Sequence, residues 1–132
     1  MRTNLTVADL GDFLDRPLIA TLATYRLNGE VLLSPLWFEW QDGGFNLAVG
    51  RNDFKTNHMR RDPRVSLALS EDRRPLRGLE LRGHARLFEE GVHELRARIW
   101  MHYEGTEPPG EDKEVIGVRI EGTIRAWDYA DE

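Results

Sequence analysis

The sequence contains no cysteine. That excludes a disulfide framework, thiolate catalysis and cysteine-held metal, and makes a reducing, cytoplasmic setting the expectation. Long apolar runs are missing too. Nothing approaches the ~20 residues that a membrane-crossing helix needs, and the opening MRTNLTVADLGD has no basic-then-apolar export pattern. The four histidines, His58, His84, His93 and His102, show no metal-ligand spacing, so no metal is expected. GxSxG, P-loop and GxGxxG motifs are absent, which removes the serine-hydrolase, NTPase and dinucleotide-fold signals. There is also no excess of basic charge. The 18 Lys and Arg face 23 Asp and Glu, for a formal net charge of −5, so the molecule as a whole repels nucleic acid and anionic membranes. Any anion it holds needs a local basic cluster. Two exist: Arg51, Lys55, Arg60, Arg61 and Arg64, and then Arg73, Arg74 and Arg77.

What is present is one domain's worth of core, 132 residues that are 40% hydrophobic, read as a single domain over 1–132. Thr6 and Asp9 form a capping-box pair, and Val7, Leu10 and Leu14 share a face, so a short helix is expected before Pro17. Asn4-Leu5-Thr6 also matches a glycosylation acceptor, but without an export signal Thr6 reads better as a cap. From Leu18 the pattern turns to β. Residues 18–25, 30–40 and 45–49 read as three strands of an antiparallel meander, joined by a two-residue turn at Asn28-Gly29 and a second turn at Asp42-Gly43-Gly44. Pro35 inside the second strand argues for an edge or a bulge, because proline donates no ladder hydrogen bond.

The polar segment GRNDFKTNHMRRD then predicts a short helix over Lys55 to Arg61, capped by Asp53 and ended by Asp62-Pro63. Arg64 to Leu69 returns to strand. Leu79, Leu81, Ala85 and Leu87 alternate with polar residues, the mark of a half-buried strand. Val92, Leu95, Ile99 and Tyr103 make one face of another helix, and Ile116, Val118 and Ile120 alternate as the last clear strand, which Thr123 to Trp127 extends or pairs. Six or seven short strands without regular strand–helix alternation exclude a doubly wound parallel sheet and suit a closed or split antiparallel barrel.

Lys55 beside the open amides of a helix N-terminus makes a phosphate site, although a solvated basic helix on an acidic protein fits the same residues. Pro35 can leave neighbouring backbone groups free for a flat ligand, or be an ordinary edge proline. Trp37 and Phe38 point to opposite faces of their strand.

The stretches IATLATYRLNGEVLLSPLWFEW, FNLAVGRNDFKTNHMRRDPRVSLAL and RGLELRGHARL resemble the pyridoxamine-phosphate-oxidase-like split barrels, over about Leu18 to Trp127. Among these they are most similar to the small flavin and deazaflavin oxidoreductases, which use coenzyme F420 or FMN. The most specific stretch starts at Lys55 and runs through NHMRRDPRVSL.

The resemblance implies a mainly β, six- to seven-stranded split barrel of the FMN-binding type. It implies a homodimer with cofactor sites at the subunit interface, a small-molecule substrate, and neither nucleic acid nor membrane as partner. The flavin ring is expected along Ser34, Pro35, Leu36 and Trp37, the phosphate on Lys55 with Arg51 just upstream, and Asn57, Arg60 and Arg77 as further contacts. F420, slightly preferred over FMN, carries an anionic tail that either Arg60, Arg61 and Arg64 or Arg73 and Arg74 would meet. The activity implied is hydride transfer between reduced F420 or FMN and a small unsaturated substrate. The alternative is a non-catalytic flavin-, haem- or tetrapyrrole-binding module. Phe54 stands where true pyridoxamine phosphate oxidases carry a second basic residue, and their early arginine and C-terminal substrate segment are missing from this sequence, so that particular oxidation is not expected. No residue is singled out as a catalytic acid or base.

Overall fold

The computed structural model describes residues 1–132. Eight strands share one antiparallel sheet: β1 (Arg2–Leu5), β2 (Ala20–Tyr25), β3 (Val31–Leu36), β4 (Glu39–Gln41), β5 (Gly44–Gly50), β6 (Arg64–Ser70), β7 (Gly78–Phe88) and β8 (Val115–Asp128). Their spatial order is β3-β2-β6-β7-β8-β5-β4, with β1 on the far end of β8. Two helices, α1 (Phe54–Arg61) and α2 (Val92–Glu104), complete the fold. The architecture is a curled antiparallel sheet, a split barrel.

The alternation read from the sequence places the core. Leu22 of β2, Leu67 of β6, Leu79 and Leu81 of β7, Val118 and Ile120 of β8, and Phe45 and Leu47 of β5 are buried on the concave side. Leu10 and Phe13 belong to the same buried cluster. β8 is one continuous strand whose start pairs with β5 and whose end pairs with β1. Opposite each other across β7 and β8 stand Gly83 and Gly122. A Cβ on either would overlap the backbone of the other strand, so this crossing tolerates only glycine.

Four sequence expectations are corrected here. The first helix is two short 3-10 turns, Ala8–Leu10 and Phe13–Asp15. The Thr6–Asp9 capping box exists, with the Thr6 amide donating to Asp9 Oδ2 at 2.8 Å and the Asp9 amide to Thr6 Oγ1 at 3.2 Å, but Gly11 at φ 62° ends the turn after it. The Asn28-Gly29 connection is not a two-residue turn. The Arg26 amide bonds to the Glu30 carbonyl, and only Gly29 has positive φ, so three residues form the loop. Asp42-Gly43, both at positive φ, is the two-residue turn, with Gln41 paired to Gly44. Lastly, residues 30–40 are two strands, and the three-strand meander is broken. β3 and β4 are the opposite ends of the sheet, linked only by Trp37-Phe38. Pro35 does lie on an edge strand. The strand count rises above the expected six or seven because the short β1 and β4 take part.

No helix is long and apolar enough to cross a membrane, and no three His, Asp or Glu side chains gather to hold a metal ion.

Candidate functional site

Two hollows, one polar and one apolar, lie in line along one face of β3 and are together called the groove. Leu32, Ser34 and Leu36 alternate onto the same face of β3. Leu32 and Ser34 line its polar end together with Asn52, Asp53, Phe54 and Lys55, around an open hollow of about 470 Å³. Leu36 continues into an apolar end of about 220 Å³, walled by Trp37, Trp100, Ile99 and Val49, with Arg96 and Asp112 at its rim.

The polar end is built by the turn between β5 and α1. The Asp53 amide bonds to the Gly50 carbonyl, and the Thr56 hydroxyl donates to the same carbonyl at 2.6 Å. The first bond inside α1 is Asn57 N–H to Asp53 O, 3.0 Å, so the amides of Phe54, Lys55 and Thr56 precede the ladder and no side chain caps them. Asp53 holds the N-cap position, as the sequence predicts, but its carboxylate turns away from the helix. It accepts from the Gly50 amide at 3.1 Å and from Lys55 Nζ at 2.9 Å. The lysine contact holds the Asp53 carboxyl below the usual carboxylate range. Behind α1, His58 Nδ1 meets the buried Thr24 hydroxyl at 3.0 Å. Burial first, then the Arg61 and Arg26 charges, lower the His58 pKa.

The apolar end is held by Tyr103 of α2. Its hydroxyl donates to the Leu18 carbonyl at 2.6 Å and accepts from the Phe38 amide at 3.2 Å, and burial pushes its pKa up to about 12. Its ring stacks on Trp37, 4.7 Å between centroids at 8°. Trp100 meets Trp37 edge-on at 5.4 Å. The β3–β4 link is therefore pinned to α2 by the Phe38 hydrogen bond and by aromatic contact.

Of the residues expected from the sequence, Ser34, Leu36, Trp37 and Lys55 come together on this groove. Pro35 alternates onto the opposite, outer face, across from Thr21. Arg51 sits at the base of the turn, paired with Glu89. Asn57 and Arg60 are exposed on α1 and bond to each other at 2.8 Å. Arg77 lies beyond the other end of β6 from α1, tied to the buried Glu71, to Asp12 and to the Leu10 carbonyl. Asp53, Arg96, Trp100 and Asp112 were not foreseen as lining. The only sequence signal for Trp100 was its place beside Ile99 on an amphipathic helix, and Arg96 and Asp112 gave none.

A description of the pyridoxamine 5'-phosphate oxidase family matches residues 8–128. The chain belongs to this family. No curated protein matches it in sequence. Among solved structures, a conserved hypothetical protein from Mycobacterium tuberculosis is 31% identical, with TM-score 0.81, over 95% of this chain and 86% of that one. An F420 reductase is 24% identical with TM-score 0.77, covering 86% of this chain and 93% of that one. The haem storage protein HutZ from Vibrio cholerae is 15% identical with TM-score 0.69, covering 89% of this chain and 92% of that one. The last two share the fold with this family member. The fold is therefore shared by an F420 reductase and a haem storage protein.

Proposed function

We propose that the groove binds a flavin-type cofactor, F420 or FMN, and that the loaded protein is an oxidoreductase acting on a small unsaturated substrate. One observation carries this reading. One face of β3 carries Ser34 beside Lys55 and the uncapped start of α1 in a polar hollow, and Leu36 in an apolar, tryptophan-walled one. A molecule with a phosphate on one side and a flat ring on the other meets both requirements. Lys55 and the α1 amides would take the phosphate, Ser34 the polyol between, and Leu36 and Trp37 the ring.

The bound cofactor supplies the hydride chemistry. The chain supplies position and shelter. Tyr103 fixes Trp37, the apolar walls exclude water, and the first turn of α1 orients the anion. The haem reading draws no support from the groove, because its lining contains no His, Cys, Met or Tyr to serve as an axial ligand.

A homodimer belongs to the same proposal. Ile19, Val31 and Leu33 are 52%, 48% and 63% exposed, and Pro35 shares the outer face of the β2–β3 edge with them. An apolar edge of this kind supports pairing with a second copy. The deciding experiment is fluorescence titration of cofactor-free protein with F420 and FMN, wild type against Lys55→Ala. Loss of about 1.5–3 kcal/mol of binding energy in the variant is expected for a hydrogen bond to a charged group. Wild-type affinity of Lys55→Ala for both compounds would overturn the assignment.

A further inference from the structure

Resting on the flavin reading above, we infer that Asp53 determines which kind of phosphate the groove accepts, favouring a phosphodiester over a phosphomonoester. The residue stands where a cap would normally serve the helix amides, yet its carboxylate is folded onto Lys55 Nζ, 2.9 Å away. Gly50 makes that conformation possible. Its amide donates to the carboxylate, and a Cβ at Gly50 would fall on the Asp53 carboxyl group. The polar end of the groove holds no second cation. Its lining is Leu32, Ser34, Asn52, Asp53, Phe54 and Lys55, and nearby Arg51 is already paired with Glu89.

The charge at this end is therefore one ammonium matched by one carboxylate. A phosphate entering beside Lys55 shares the ammonium with Asp53 and meets its negative charge. A phosphomonoester such as FMN brings about 1.5 to 2 negative charges at neutral pH, whereas a phosphodiester such as that in F420 brings one. At contact distance in a water-like dielectric, each extra charge beside a fixed carboxylate costs about fivefold in affinity. Lys55 thus attracts phosphate in general, and Asp53 discriminates by its charge.

The test compares wild type with Asp53→Asn, which keeps an oxygen acceptor for the Gly50 amide and removes only the charge. Both proteins are titrated at fixed ionic strength with FMN, F420 and riboflavin, the last having no phosphate. The expected result is that Asp53→Asn tightens FMN about two- to fivefold more than F420 and leaves riboflavin unchanged. The acidic tail of F420 is common to both proteins and drops out of the ratio. Equal tightening of FMN and F420, no change in either, or a parallel change in riboflavin overturns the role of Asp53 and leaves the flavin reading standing. Failure of both proteins to bind any of the three overturns the flavin reading itself and the inference with it.

Discussion

Replacing Glu71 should unfold the protein at a markedly lower temperature. Its side chain is fully buried, and every oxygen is engaged. Oε1 accepts from Arg16 Nη1 at 2.5 Å and Arg77 Nη2 at 3.0 Å, and Oε2 accepts from Arg77 Nε at 2.6 Å and the Arg77 amide at 2.8 Å. Glu71→Ala leaves the Arg16 and Arg77 guanidinium groups, 20% and 14% exposed, beside an empty space. Breaking a buried pair costs about 3–5 kcal/mol. Arg77 keeps Asp12 at 2.6 Å and the Leu10 carbonyl at 2.7 Å, which favours the lower figure. At about 2 cal/mol/K per residue, a loss of about 3 kcal/mol lowers Tm by roughly 10 °C. Glu71→Gln preserves the shape but not the charge, and should lose about half as much.

The pH dependence has a definite sign. The Arg77 hydrogen bonds hold the Glu71 carboxyl below its ordinary pKa against the opposing effect of burial. Its contribution is thus complete above the unfolded carboxyl's ordinary pKa of 4.5 and is lost as pH falls through the lower folded value. Calorimetric melts at neutral and acid pH give both readouts. A Glu71→Ala protein melting within about 2 °C of wild type at neutral pH would refute the reasoning, because the unpaired guanidinium groups would then cost nothing.

Tyr103→Phe keeps the stack on Trp37 but deserts the Leu18 carbonyl and the Phe38 amide, for an expected loss of about 1–3 kcal/mol in urea unfolding, with tryptophan emission reporting any shift of Trp37. Leu33→Glu places a charge on the exposed apolar edge of β3, so if the wild type sediments as the proposed dimer the variant should sediment as a monomer; a variant that still sediments as a dimer would exclude that edge as the interface.

Where local chemistry decides the structure, the sequence was readable. The alternation of Leu79, Leu81, Ala85 and Leu87, the helix face of Val92, Leu95 and Ile99, and the end of α1 at Asp62-Pro63 all appear as expected. The failures come from interactions between distant residues. Arg2 is held in β1 by Asp128, 126 positions away, through hydrogen bonds of 2.8 and 2.5 Å, and RTNL has no alternation to announce it. A capping box satisfies one 3-10 turn as well as it does an α-helix, so Thr6 and Asp9 could not report length. The site divided in the same way. Lys55 was singled out because a lysine at a helix start carries chemistry in its type, and Ser34 through the family resemblance; the structure places both in one hollow. The commitment of Arg77 to Glu71 was hidden, because a glutamate in the polar run SEDRRP looks solvated until the loop folds over it.

The two terminal strands of the sheet, β3 and β4, are consecutive in the chain. Three peptide steps separate Leu36 from Glu39, and consecutive Cα atoms are about 3.8 Å apart, so these ends of the sheet can never part by more than about 11 Å. Nothing comparable tethers the end at Lys55. The opening therefore behaves as a wedge with a covalent limit on its narrow side. On the proposed reading, thin, flat parts of a ligand would be measured against that limit, with bulk and charge left to the open side. Lengthening the Trp37-Phe38 link by one residue would change the gauge of the slot without touching Lys55 or the first turn of α1.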